Sequence, residues 1–181
     1  MSRVLMDSAA IESAIQSIAD QLLANGQDGP WAIVGIRRGG EALAKRLAAR
    51  MGEKTGQEVS IGMVDITLYR DDGFGPNDFP SVGVTDIPFV LKERTVVLVD
   101  DVLYTGRTVR AAIDAILDYG RPKAVRLAVL VDRGLRELPI RADAAGTAID
   151  TTAGQHVDVR VNQTASGTDE VRISEREGAE S

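Results

Sequence analysis

The 181-residue chain contains no cysteine, which excludes disulfides, thiolate metal sites and a cysteine nucleophile. Histidine occurs once, at His156, and aromatic residues make up only 4% of the sequence. The first residues, MSRVLMDSAAIESA, lack the apolar core of a signal peptide, and nowhere do enough apolar residues run together to span a bilayer. A cytoplasmic protein without a membrane segment is the expectation. Net positive charge is missing as well: 21 Lys and Arg stand against 27 Asp and Glu, for a formal charge of -6. That balance is opposite to the basic footprint of a protein that grips nucleic acid through its phosphates.

What remains is 44% hydrophobic and mostly aliphatic, which suits strands and helices packed in alternating layers. Ile11, Ile15, Ile18 and Leu22 recur at helical spacing after Asp7 and Ser8, either of which could cap the helix. WAIVGI (31–36) is a continuous apolar run of the kind that a strand covered on both faces needs. Trp31, which opens it, is expected in the core. After the turn RRGG, the residues Ala42, Leu43, Leu47 and Ala48 predict a second helix. EVSIGMVDITLY (58–69) reads as another strand, and residues 70–89, rich in Gly, Pro, Asp and Asn, as a long loop of the kind that serves as an active-site lid. TVVLVDD predicts a buried strand, Val109, Ile113, Ile116 and Leu117 a third helix, and AVRLAVLVD (124–132) a further strand. Strand, turn and helix follow one another twice, which implies right-handed crossovers, a parallel sheet and an α/β fold. Beyond residue 143 the sequence turns irregular, with short alternating pieces at HVDVRV and EVRI, and the last residues read as a frayed end.

The chemistry concentrates in VVLVDDVLYTGRT (96–108). Ligands of an open parallel sheet bind beyond the carboxyl ends of its strands, where Asp100 and Asp101 stand. The turn behind them offers backbone N–H groups, the hydroxyls of Thr105 and Thr108, and Gly106 at the start of a helix. Such a turn suits an anion. Two acids ahead of a phosphate cradle fit a sugar phosphate, and the absence of Gly-Lys-Ser/Thr argues against a P-loop. Spacing alone also fits a bland reading, with Asp101 capping a turn and Asp100 at a solvated strand end. A second strand-end turn, GIRRGG, carries Arg37 and Arg38 and could hold a more highly charged phosphate group.

The thirteen-residue stretch resembles the phosphoribosyl diphosphate (PRPP) motif of type I phosphoribosyltransferases. More narrowly, DITLYRDD, VLVDDVLYTGRTVRAAIDAI, LAVLVDRG and RELPIRAD are similar to the PyrR family of pyrimidine operon regulators, which are also uracil phosphoribosyltransferases. The resemblance covers roughly residues 4–150. It implies a type I phosphoribosyltransferase fold with a lid near 70–89 and a small hood near 133–175. It also implies magnesium, a homodimer or homotetramer, and conversion of uracil and PRPP to UMP and diphosphate. Asp100 and Asp101 would bind the ribose hydroxyls, Thr105, Gly106, Arg107 and Thr108 the 5′-phosphate, and Arg37, Arg38 and Gly39 would form the diphosphate loop. Arg70 would open the lid, and Tyr104 and Arg133 would stand near the base, Arg133 being equally well read as an ion-pair partner of Asp132. No protein side chain would hold the metal directly.

Two departures stand out. The family's diphosphate loop commonly reads basic-Thr-Arg-Gly, whereas here Gly39 occupies the arginine's place and an arginine comes one residue earlier. At positions that bind leader RNA in relatives, this chain has Gln16, Ser17, Asp20, Leu135 and Thr147, with Arg136 and Arg141 kept. The loss of positive charge predicts weakened RNA binding. The alternatives left open are a UMP-responsive RNA-binding regulator that uses the enzyme site as a sensor, and an enzyme for another base such as hypoxanthine or orotate.

Overall fold

A computed structural model describes residues 2–24, 30–71, 81–162 and 168–175. The elements are β1 (Ser2–Met6), α1 (Ser8–Ala24), β2 (Trp31–Ile36), α2 (Gly40–Thr55), β3 (Ser60–Val64), a 3-10 turn (Thr67–Tyr69), β4 (Thr95–Leu103), α3 (Arg107–Leu117), β5 (Ala124–Asp132), β6 (Ala144–Ala148), β7 (Gln155–Arg160) and β8 (Glu170–Glu175). Five strands form a wholly parallel sheet in the order β3-β2-β4-β5-β6. The other three form an antiparallel sheet, β1-β8-β7.

Side chains along β4 alternate between two cores, and both cores are apolar. Val97 and Val99 join α1 and α2 through Ile11, Ile15, Leu43 and Leu47, and the small sheet adds Val157, Val171 and Ile173 to the same cluster. Val96 and Leu98 meet Val109, Ala112, Ala115 and Ile116 of α3. Cover on both faces is why β2 reads as an unbroken apolar run, every residue of it buried. The helical spacing read in α1 is its buried face: Ile11, Ile15, Ile18 and Leu22 are at most 4% exposed. Asp7 is the cap, its Oδ1 accepting from the amide of Ala10 at 2.8 Å. Trp31 lies in the core, and His156 is exposed on β7.

Three expectations need correction. The strand read over 58–69 extends only over Ser60–Val64, because Asp65 Oδ1 accepts from the amide of Thr67 at 3.0 Å and turns the chain into the 3-10 segment. Leu117 does not complete the core face of α3 and is 51% exposed at its last turn. The stretch after residue 143 is not irregular. AAGTA becomes β6, the edge strand of the main sheet, held where Gln21 of α1 donates to the carbonyl of Ala145 at 3.0 Å. HVDVRV and EVRI are both strands, and β8 pairs with β1 at the other end of the chain. Residues 72–80 of the expected lid lie outside the described residues, and 81–89 meet β3 through an isolated Met63–Asp86 bridge.

The small sheet is tied to the helices by a buried ion pair between Arg46 and Asp169, whose side chains are 8% and 1% exposed. Asp169 also accepts from the amide and the side chain of Asn162, at 2.9 and 3.0 Å, and Arg46 reaches Glu12 at 2.6 Å. Although burial pushes the carboxyl the other way, these donors hold Asp169 below the ordinary carboxylate range. Its contribution is therefore fully present above the unfolded value, about 3.9, and is lost as pH falls through the lower folded value. Asp169→Ala should cost about 3 kcal/mol at pH 7 by urea denaturation, because Arg46 is left buried with one partner fewer. In the same titration the gap between variant and parent should narrow below pH 4.

Candidate functional site

Both signature turns lie at the carboxyl end of the parallel sheet, after β2 and within and after β4. Asp100 is 6% exposed and Asp101 half-buried. Oδ1 of Asp100 accepts from the amide of Asp101 at 3.0 Å, and Oδ1 of Asp101 accepts from the amide of Val102 at 2.7 Å. Each carboxylate is thus oriented by the backbone that follows it. Burial, and then the adjacent Asp101 charge, push the Asp100 carboxyl well above its ordinary range.

Across from this pair, the amide of Arg37 donates to the carbonyl of Val64 at 2.9 Å, and its Nη1 lies 2.6 Å from Glu41 Oε1. The Nε of Arg37 is buried with no hydrogen-bond partner among the described residues. Arg38 is exposed. Gly39, where the usual loop has arginine, packs tightly on the acid pair: a Cβ there would lie 2.3 Å from Asp101 Oδ2. A side chain at that place would require Asp101 to shift.

A cavity of about 740 Å³ joins these groups. Arg37, Arg38, Gly39, Arg70, Asp100, Asp101 and Thr108, all singled out from the sequence, line it. A smaller pocket of about 240 Å³ adjoins it, lined by Thr105, Arg107 and Thr108 of the second turn together with Ile66, Arg70 and Asp71. Gly106 makes that turn possible. Its φ of +93° is open to glycine, and it caps α3 at its N-terminus, where the Arg107 amide donates to Thr105 Oγ1 at 3.4 Å.

Tyr104 and Arg133 are brought together, but on neither of these walls. The Arg133 guanidinium stacks 4.2 Å from the centre of the Tyr104 ring. It also donates to Thr151 Oγ1 at 3.0 Å and to the carbonyls of Thr152 and Gln155 at 3.0 and 2.8 Å. The alternative pairing of Arg133 with Asp132 is not found; Asp132 pairs with Arg136 at 2.5 Å. Arg136 donates further to the carbonyls of Tyr104, Gly134 and Ile140 at 2.7, 3.1 and 2.9 Å, and so holds the segment after β5 against the turn that precedes α3.

Sequence reasoning missed Asp65, Thr67 and Glu41, which also line the larger cavity. Asp65 could have been found by the rule that found Asp100: it is a carboxylate just past the carboxyl end of a parallel strand. Among the described residues no group of three or more His, Asp or Glu could by itself hold a metal ion. No helix among them is long and apolar enough to cross a membrane.

The chain matches the phosphoribosyl transferase domain family over residues 4–164. It is 51% identical over 170 residues to a protein of Geobacter sulfurreducens called bifunctional protein PyrR, covering 93% of this chain and 96% of that one. A Thermus thermophilus protein of the same name is 49% identical over 176 residues, 97% of each chain. Among solved structures, the hypoxanthine phosphoribosyltransferase of Trypanosoma cruzi superposes with a TM-score of 0.69 at 15% identity, covering 97% of both chains. A hypoxanthine phosphoribosyltransferase of Staphylococcus aureus gives 0.65 at 21%, covering 83% of this chain and 79% of the other. These two likenesses establish the fold, a type I phosphoribosyltransferase sheet. The sequence relatives establish the family: the chain belongs to the phosphoribosyltransferases and, within them, to the PyrR proteins.

Proposed function

We propose that this protein transfers the phosphoribosyl group of PRPP to uracil, forming UMP and releasing diphosphate. The observation that carries this reading is the convergence of an arginine turn, a pair of strand-end carboxylates and a glycine-opened turn on adjoining cavities at the carboxyl end of the parallel sheet. Asp100 and Asp101 accept from the ribose hydroxyls. Thr105, Gly106, Arg107 and Thr108 hold the 5′-phosphate at the N-terminus of α3, where the helix dipole favours an anion. Arg37 and Arg38 face the diphosphate.

In the reaction the bond from C1′ to the diphosphate oxygen breaks as the uracil nitrogen attacks, and that nitrogen loses its proton. The ribose passes through oxocarbenium character while negative charge collects on the leaving group. Arginines and backbone donors fixed before the reaction stabilise that charge without reorganising. In this reading residues 70–89 are a lid over the site, entered through Arg70, and 133–175 a hood over the base, within one phosphoribosyltransferase domain. Arg133 acts on the base side through the Tyr104 ring that it holds. In purine-using relatives an acid takes the position of Tyr104 and helps the base lose its proton; Tyr104 offers no such carboxylate, which argues against a purine acceptor.

Magnesium fits the donor set in one manner. The protein offers two adjacent carboxylates and no closed ligand cage among the described residues. That would suit an ion carried mainly by PRPP itself, with no side chain of the protein holding it directly. Bound there, magnesium would neutralise part of the leaving group's charge.

The relatives are called bifunctional, and the second reading is regulation through RNA. The positions that would face RNA support only weak binding. Gln16 and Ser17 are exposed on α1, Asp20 is engaged by Lys54 at 2.7 Å, Leu135 is 44% exposed, and the guanidinium of Arg136 is committed to internal carbonyls. The protein is proposed to work in the cytoplasm as a homodimer or homotetramer.

Offered uracil, hypoxanthine, guanine and orotate separately with PRPP and magnesium, the protein should form nucleotide with uracil alone; turnover of a purine base would overturn the assignment. Asp100→Asn with Asp101→Asn should weaken PRPP binding by at least ~10-fold, through lost charge-assisted hydrogen bonds. Asp100→Asn alone should raise the melting temperature at pH 7, since a buried carboxyl with a raised pKa favours the fold only while protonated. Gly39→Ala should lower kcat/KM for PRPP by about 10-fold or more by displacing Asp101, with far-ultraviolet dichroism unchanged. In a gel shift at physiological salt, the cognate operon leader RNA should bind weakly and without stimulation by UMP.

A further inference from the structure

The mouth of the smaller pocket has a charge balance unusual for an anion site. Arg107 stands in the phosphate turn itself, yet its guanidinium is held by two carboxylates, Glu137 at 2.7 Å on Nε and Asp71 at 2.6 Å on Nη1. With Arg70, which lines the same pocket, the basic and acidic side chains at this mouth are equal in number. A phosphate entering there meets two anions already in contact with the cation it needs.

The two carboxylates come from opposite sides of the site and are tethered differently. Glu137 belongs to the segment after β5, and its amide and that of Leu138 both donate to the carbonyl of Thr105, at 3.0 and 3.1 Å. It therefore moves with the phosphate turn. Asp71 follows the 3-10 segment, whose last residue is fixed to α3: Arg110 donates to the carbonyl of Tyr69, and the Tyr69 hydroxyl donates to Asp118, each at 2.5 Å. Only the stretch from Tyr69 onward separates that anchor from Asp71. All three side chains are well exposed, Arg107 at 46%, Asp71 at 33% and Glu137 at 53%, so each bond is individually weak and readily exchanged. A phosphate dianion accepts two parallel bonds from a guanidinium and outcompetes a single-point carboxylate contact.

We infer that Asp71 and Glu137 are positioning residues of the phosphate turn: they hold the Arg107 guanidinium at the pocket mouth and yield it to the phosphate monoester of a sugar phosphate, so that phosphate occupancy and the Asp71–Arg107 bond exclude one another. Glu137, tethered to the turn, keeps the guanidinium in reach; Asp71 is the partner that leaves. Binding of the phosphate thereby frees the residue at the root of the 70–89 segment. The inference rests on the assignment of residues 105–108 as the 5′-phosphate subsite and is independent of which base is used.

The test is calorimetric titration with ribose 5-phosphate, without any base, at low and high salt. Asp71→Asn should tighten binding about 3-fold at low salt, the size expected for removing one exposed competing charge, and the gain should shrink at high salt. Arg107→Gln should weaken binding by about 10-fold or more. In the Arg107→Gln background, Asp71→Asn should then have no effect. In steady-state assays Asp71→Asn should move the KM for PRPP with little change in kcat, a split that a merely structural role would not give. Unchanged or weaker binding by Asp71→Asn would overturn the inference, as would a gain that persists without Arg107, since that would be repulsion through space alone. If the unaltered protein bound no ribose 5-phosphate, the phosphate-turn assignment would fall and take the inference with it. Binding without uracil turnover would defeat only the choice of base.

Discussion

Everything at the site depends on how closely the Arg37–Gly40 turn approaches the end of β4. A Cβ on Gly40 would lie 2.1 Å from the carbonyl oxygen of Val99, and one on Gly39 would lie 2.3 Å from the Asp101 carboxylate. The two glycines let one turn rest directly on the other strand's end. Neighbouring parallel strands are only about 5 Å apart, so turns that follow adjacent strands are close by construction. A side chain at either glycine would wedge them apart. With the wedge absent, a cationic turn and a carboxylate pair share one cavity, and a ligand carrying both hydroxyls and phosphates can span them.

That closeness has an electrostatic cost. Asp100 is buried beside a second carboxylate, and both conditions disfavour its ionised form. A sequence selected for stability alone would place an amide or an aliphatic group here. The carboxylate instead keeps an oriented acceptor in a nearly dry position, where a hydrogen bond from a ligand hydroxyl is stronger than it would be in water. The cost falls on the strand best able to bear it. β4 lies in the middle of the sheet, bonded to β2 and β5, with Val96 to Val99 buried in both cores.

Much of this arrangement was legible because it follows from local pattern. The unbroken apolar runs of β2, β4 and β5, the buried stripes of α1 and α2, and the acids and glycine at strand ends each carry their own signal over a few residues. The features that were missed arise from distant partners. AAGTA has neither β-branched density nor alternation, and it becomes a strand only because β5 offers an edge and Gln21 an anchor. Asp65 lay inside a stretch read as regular strand, where its side chain in fact turns the chain. The glycine in place of the usual arginine could be seen as a departure, but its close approach to the Asp101 carboxylate, 62 residues away in the chain, is visible only in three dimensions.

The arginines show most clearly why residue type alone does not assign a role. Arg133 and Arg136 follow β5 three residues apart, and from the sequence Arg133 reads as a neighbour of the base or of Asp132 and Arg136 as a retained RNA-facing cation. In the fold Arg133 is 5% exposed, stacked on Tyr104 and bonded to two carbonyls, and Arg136 donates to a carboxylate and several carbonyls. Five donors in a rigid fork make arginine the side chain best suited to collecting orphan carbonyls where strands end and loops begin. A guanidinium used that way stabilises the wall of a site and cannot also neutralise a phosphate. Arg38, exposed in the turn after β2, and Arg107, held by exposed carboxylates, remain able to exchange partners. The division between arginines that build the site and arginines that serve it is therefore set by what surrounds each guanidinium: internal carbonyls retain it, and solvent or a displaceable carboxylate releases it.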